Sequence, residues 1–235
     1  MIKPRDIILV LIASALLIAG IGAWIHYSNG GSSEVLLSES EVLSGPLSAE
    51  ELKVAHPDIT NTMNRFAIVT TNKGSFTLEM FEDQMPITTG NFISLAETGF
   101  YNGTKFHRII DGFMIQGGDP NSKTDNVATY GTGGPGYTIQ DEFVEGEFLS
   151  NRRGTISMAN TGQPNSGGSQ FFINTVDNLS LDFDKQPFTS RHPVFGRIVD
   201  GMAVIDAVSG VVTGPGDVPV EPVIIESIEI VAEAK

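Results

Sequence analysis

From Arg65 onward, apolar and polar residues alternate in short runs, the period-two pattern of strands that bury one face. RFAIVTT and SFTLEMF flank the turn residues Asn72, Lys73 and Gly74 and predict an opening hairpin. PITTGNFISLAETGF changes period: Phe92, Ile93, Leu95 and Ala96 follow helical spacing from Pro86 and stop at Gly99. KFHRII and FMIQGG read as two short strands joined at Asp111–Gly112, and GTGGPG after them as a loop. No Lys-Ser/Thr pair and no helical start follow that glycine run, so a phosphate cradle is not the reading. GTISMAN, SQFFINT and HPVFGRIV give further strands, GMAVIDAV a short helix and PVIIESIEIV a closing strand. Many short strands with two helices imply a mainly β protein, expected as a closed, mostly antiparallel barrel, because closure removes exposed strand edges.

The first part of the chain follows a different pattern. Ile7 to Ile25 is an uncharged apolar run, about 28 Å long as a helix and close to the thickness of a bilayer's hydrocarbon core. Lys3 and Arg5 precede it and Trp24 and Tyr27 close it, which predicts a single-pass transmembrane helix with the N-terminus inside. The rival reading is a cleaved secretory signal, whose apolar region is usually shorter and ends at a small-residue cleavage site. Residues 29–64, rich in Ser, Gly and Glu, read as a stalk. The expected organisation is therefore anchor over 1–28, stalk over 29–64 and one folded domain over 65–235, placed outside the cytoplasmic membrane or secreted.

Composition narrows the function. The formal charge of -14 opposes binding to nucleic acid or to an anionic lipid surface. With no cysteine, disulfides, thiolate metal sites and a cysteine nucleophile are excluded. No clustered His/Asp set or HExxH supports a metal site, and no GxSxG supports acyl transfer. His107 reads first as a structural histidine, set by alternation on the face opposite Phe106, Arg108 and Ile110. His192 is the better candidate for a pocket rim. Asp141–Glu142 and Asp182/Asp184 read as solvated loop charges. What remains is a set of apolar and amide residues around Arg108: Phe113, Met114 and Gln116 close behind it, then Asn160, Gln170 and Phe172 from later strands.

At these residues the chain resembles the cyclophilin family. FHRIIDGFMIQGGDP at 106–120, GTISMANTGQPNSGGSQFFINT at 154–175 and HPVFGRIVDGM at 192–202 look like its three signatures, in order. The likeness spans about Arg65 to Ile230, and GYTIQDEF with the longer loop before His192 is similar to prokaryotic members. It implies an eight-stranded antiparallel cyclophilin-like barrel capped by two helices, and peptidyl-prolyl cis-trans isomerase activity without a cofactor. It further implies Arg108 as the catalytic arginine, and Phe113, Met114, Phe172 and Leu181 as the wall of a proline pocket. Gln116, Ala159, Asn160 and Gln170 match positions that contact the substrate chain, and His192 matches the histidine at the pocket edge. Family members that bind cyclosporin tightly usually carry tryptophan where this chain has Ser180. The expected partners are proline-containing polypeptides, met by a monomer, with membrane contact through the N-terminal helix. A binding module or holdase for proline segments is the alternative function.

Overall fold

A computed structural model describes residues 64–233 apart from Pro187 and Thr189. The anchor and most of the stalk expected from the sequence lie outside these residues. Eight strands and two helices run in the order β1 (Phe66–Thr71), β2 (Gly74–Met80), α1 (Pro86–Glu97), β3 (Arg108–Ile110), β4 (Met114–Gly117), β5 (Thr155–Met158), β6 (Phe171–Asn174), β7 (Val194–Asp200), α2 (Met202–Ser209) and β8 (Ile225–Val231). Both helices and every strand pair predicted from periodicity are present.

The strands form one antiparallel sheet in the order β3-β4-β6-β5-β7-β2-β1-β8. β1 and β2 pair from Phe66 opposite Glu79 to Thr71 opposite Gly74, so the expected hairpin is present and its turn is Asn72–Lys73, with Gly74 already in β2. The ladder does not run from β8 back to β3, so full strand-to-strand closure is not found. Instead, the residues ahead of those two strands meet: Phe106 N–H donates to Val223 O at 2.9 Å and Ile225 N–H to Thr104 O at 2.8 Å. The start of KFHRII is used for this bridge, so β3 begins only at Arg108. Hence Phe106 and His107 are both buried, at 1% and 3% exposure, where strict alternation had set them on opposite faces.

The inner face of the sheet and one side of α1 form the core. Phe92 of α1 lies 5.1 Å from the Tyr101 ring and 5.5 Å from both Phe171 and Phe195. Such aromatic pairs each contribute about 0.5–1.5 kcal/mol beyond burial itself. The helix is buried on more than its expected stripe, since Thr88, Thr89 and Asn91 are enclosed as well. Their polar atoms are satisfied locally: Asn91 donates to Gly168 O at 2.7 Å and accepts from the Tyr137 hydroxyl at 2.8 Å. The first turn of α1 has no side-chain cap of its own. Glu142 supplies one from a distant loop, accepting from Ile87 N–H at 3.1 Å and Thr88 N–H at 2.9 Å, as a carboxylate at a helix N-terminus should. Glu142 is therefore a buried structural anchor, not a solvated charge. After β7 the chain turns into α2 through Gly201, at φ +83; a Cβ there would fall 2.6 Å from Phe76 Cα.

Candidate functional site

The register of three neighbouring strands builds the site. β3 pairs with β4 so that Arg108 lies opposite Gln116, and β4 pairs with β6 so that Gln116 lies opposite Phe172. Residues directly opposite point to the same side of a sheet. A cation, an amide and an aromatic ring therefore stand in one row. Met114 and Phe172 are buried at 2% and 5% exposure, while Arg108, Phe113 and Gln116 are half-buried at the surface.

These residues line an open cavity of about 310 Å³ together with Ala159, Asn160, Leu181 and His192. Of the ten site residues expected from the sequence, nine share this cavity. Gln170 lies behind it, lining a second cavity of about 280 Å³ with Gly131, Thr132 and Gly133. The two are contiguous through Gln116, Ala159 and Asn160, which line both. Gln170 joins their walls: its carbonyl accepts from Gln116 Nε2 at 3.0 Å, and its amide donates to Gly131 O at 3.0 Å and Gly133 O at 2.8 Å.

The apolar wall is held by polar contacts behind it. The His192 ring stands edge-on to Phe172, with centroids 5.3 Å apart, and its Nδ1 lies 3.1 Å from Met158 O. Burial pushes the His192 imidazole below its usual value, against a smaller opposing effect of that hydrogen bond. The ring is thus kept neutral, in keeping with an apolar pocket edge. His192 N–H also donates to Leu181 O at 3.0 Å, which ties the two wall residues together. Asn160 donates to Arg191 O at 2.6 Å and accepts from Gly162 N–H at 3.0 Å.

Beneath the pocket lies a polar net that sequence reading missed. Asp182, 4% exposed, accepts from Ser150 Oγ at 2.6 Å, Asn151 N–H at 2.7 Å and Asn151 Nδ2 at 2.8 Å. Asn151 also donates to His192 O at 3.0 Å and accepts from Ser157 Oγ at 2.7 Å. Asn178 reaches Phe113 O at 2.8 Å, fixing the backbone of the opposite wall. Asp182 is therefore an internal anchor, which corrects its reading as a solvated charge; no local spacing signals it. His107, by contrast, is buried and does not line this cavity, in keeping with a structural histidine in the core.

The arrangement suits a reaction in which no covalent bond is made or broken. A cavity of this size accepts a small ring, the flanking amides can hold an extended backbone, and one permanent cation stands at the mouth. Among the described residues no group of three or more potential metal ligands is found.

Comparison with known proteins adds a lineage to this geometry. A family model described as cyclophilin type peptidyl-prolyl cis-trans isomerase/CLD matches residues 66–230. Peptidyl-prolyl cis-trans isomerase B of Escherichia coli is 44% identical over 165 residues, covering 68% of this chain and 96% of that protein. Peptidyl-prolyl cis-trans isomerase A of Dickeya dadantii is 38% identical over 194 residues, covering 81% and 97%. A putative bifunctional phosphatase/peptidyl-prolyl cis-trans isomerase of Streptococcus pyogenes is 41% identical, and the chain spans only 42% of its length. Among solved structures, a cyclophilin type isomerase of Cryptosporidium parvum superposes with a TM-score of 0.62 at 31% identity, covering 73% of this chain and 99% of the other. A second crystal structure of that protein was obtained in the presence of the dipeptide ala-pro.

Proposed function

Since the chain belongs to the cyclophilin-type peptidyl-prolyl cis-trans isomerase family, we propose that its pocket seats the proline ring of an X-Pro bond and that Arg108 is the catalytic group. Rotation about that bond is opposed by amide resonance, a barrier of ~18–20 kcal/mol. Phe113, Met114, Phe172, Leu181 and His192 hold the ring through apolar burial. Gln116, Ala159, Asn160 and Gln170 steady the flanking backbone while the acyl side turns. Arg108 directs an N–H at the prolyl nitrogen, whose lone pair becomes available only when resonance is lost. The contact is stronger in the twisted amide than in either planar ground state, which is the condition for acceleration. A reduction of ~6–7 kcal/mol corresponds to about 10⁵-fold.

One observation carries the reading: the row Arg108–Gln116–Phe172 opens directly on the cavity that the other wall residues complete. A pocket complete within one chain supports action as a monomer. The bridge between Thr104–Phe106 and Val223–Ile225 supports a barrel that closes in effect, with the cavity on its outer surface. The uncharged run Ile7 to Ile25, behind Lys3 and Arg5, supports tethering of the domain outside the cytoplasmic membrane, where proline-containing chains fold after export.

The test compares the full chain with Arg108→Ala and Arg108→Lys in turnover of a proline peptide, with peptide affinity measured alongside. Loss of turnover with affinity kept is expected for both, since lysine lacks the fork of donors. Binding without turnover in the unmodified chain would instead make the protein a holder of proline segments.

A further inference from the structure

We propose that Asp217 is a positioning residue for Arg108, an inference that rests on the catalytic assignment of Arg108 above. The Arg108 side chain is 43% exposed, and its Nε lies 3.5 Å from Asp217 Oδ2. No other ion pair or side-chain hydrogen bond engages this guanidinium among the described residues. An arginine left to its own stem samples many rotamers, and each wrong one takes the donor away from the prolyl nitrogen. A carboxylate beside Nε limits the swing of the group.

The segment that carries Asp217 is built to hold it there. Val220 N–H donates to Val212 O at 2.9 Å and Gly214 N–H to Val218 O at 2.8 Å, so residues 212–220 form a closed arm. At its tip, Gly216 and Asp217 adopt left-handed backbone in succession, at φ +74 and +60. For a residue other than glycine that conformation is uncommon, and aspartate and asparagine are the side chains that tolerate it best. Asp217 lines none of the proline pocket itself, whereas Arg108 does. Its influence therefore falls on the turnover step and passes through Arg108.

Asparagine fits the same backbone, so Asp217→Asn removes the charge and keeps the turn. In the full chain we expect kcat to fall about 1.5- to fivefold, the scale of one exposed ion pair. KM for a proline peptide and the melting temperature stay unchanged, and Asp217→Glu recovers part of the loss. Raising salt to about 1 M brings the unmodified chain towards the Asp217→Asn rate, because exposed charges are screened. In an Arg108→Ala background, Asp217→Asn has no further effect. An unchanged or raised kcat in Asp217→Asn, or a change in KM alone, overturns the inference while Arg108→Ala remains inactive. Full turnover by Arg108→Ala would instead refute the arginine assignment, and the role of Asp217 would fall with it.

Discussion

Replacing Asp182 with alanine tests whether the polar net beneath the pocket holds its outer wall. The carboxylate accepts three hydrogen bonds, from Ser150 Oγ, Asn151 N–H and Asn151 Nδ2. Bonds to a charged group contribute about 1.5–3 kcal/mol each, but these share one acceptor and do not add fully. Ser150 is half-exposed and can turn to water, and Asn151 Nδ2 keeps its bond to His192 O. The backbone N–H of Asn151, a residue with 0% exposure, is left without a partner, which costs about 1–3 kcal/mol. The net expectation is a loss of about 3–4 kcal/mol. For a domain of this size that is a fall of roughly 6–16 °C in melting temperature. Asp182→Asn keeps an acceptor for Asn151 and should cost only about 1 kcal/mol. Because Leu181 adjoins Asp182 and His192 is tied to both Leu181 and Asn151, KM for a proline peptide should rise in the alanine variant. Thermal unfolding by circular dichroism with parallel kinetics reads both effects. A melting temperature within 2 °C of the unmodified chain (about the change expected from less than 1 kcal/mol) would refute the reasoning. Equal losses in the two variants would show that charge, not the bonded net, is what matters.

Three further outcomes follow from the same geometry. Phe172→Ala removes a ring with 5% exposure and should cost about 3–5 kcal/mol of stability, together with at least a tenfold rise in KM, read by calorimetry and kinetics. Folding favours the neutral His192 ring because its pKa is lowered from 6.5, so its contribution to stability is present above about that value and lost as pH falls through the lowered one. Peptide affinity should hold from about pH 8 down past 6.5 and fall only as pH drops through that lowered value, and His192→Phe should abolish that fall, as a titration series would show. Burial raises the Glu142 pKa from 4.5, outweighing the two N–H groups it accepts. The protonated form is therefore favoured in the fold, and that contribution fades as pH rises from about 4.5 through the raised value; Glu142→Gln should flatten this slope in urea unfolding.

The elements were readable because alternation, a helical stripe and turn residues are local signals, as in the hairpin at Asn72–Gly74 and the stop at Gly99. The pocket was readable through resemblance, since nothing in composition brings Arg108, Gln116 and Phe172 into one row; pairing across strands does that. The misread residues share one cause. Glu142 binds the start of α1 from 55 positions away, and Asp182 binds Asn151 from 31, so each looks like an ordinary loop charge in its own neighbourhood. Phe106 and His107 do not fall on opposite faces as alternation expects, because the bridge to Val223 interrupts the strand before Arg108, and period two holds only within a strand. Asp217 gave no signal either: its meaning depends on an arm that folds back beside β3.

The central claim is that this pocket accelerates rotation about an X-Pro bond through Arg108. Exchange spectroscopy by NMR on a short X-Pro peptide, with catalytic amounts of the full chain, measures that rotation without a coupled enzyme. The account predicts cis and trans signals exchanging far faster than the uncatalysed tens to hundreds of seconds, with the acceleration lost in Arg108→Ala. Exchange at the uncatalysed rate with the intact protein, under conditions where the peptide is bound, would contradict it.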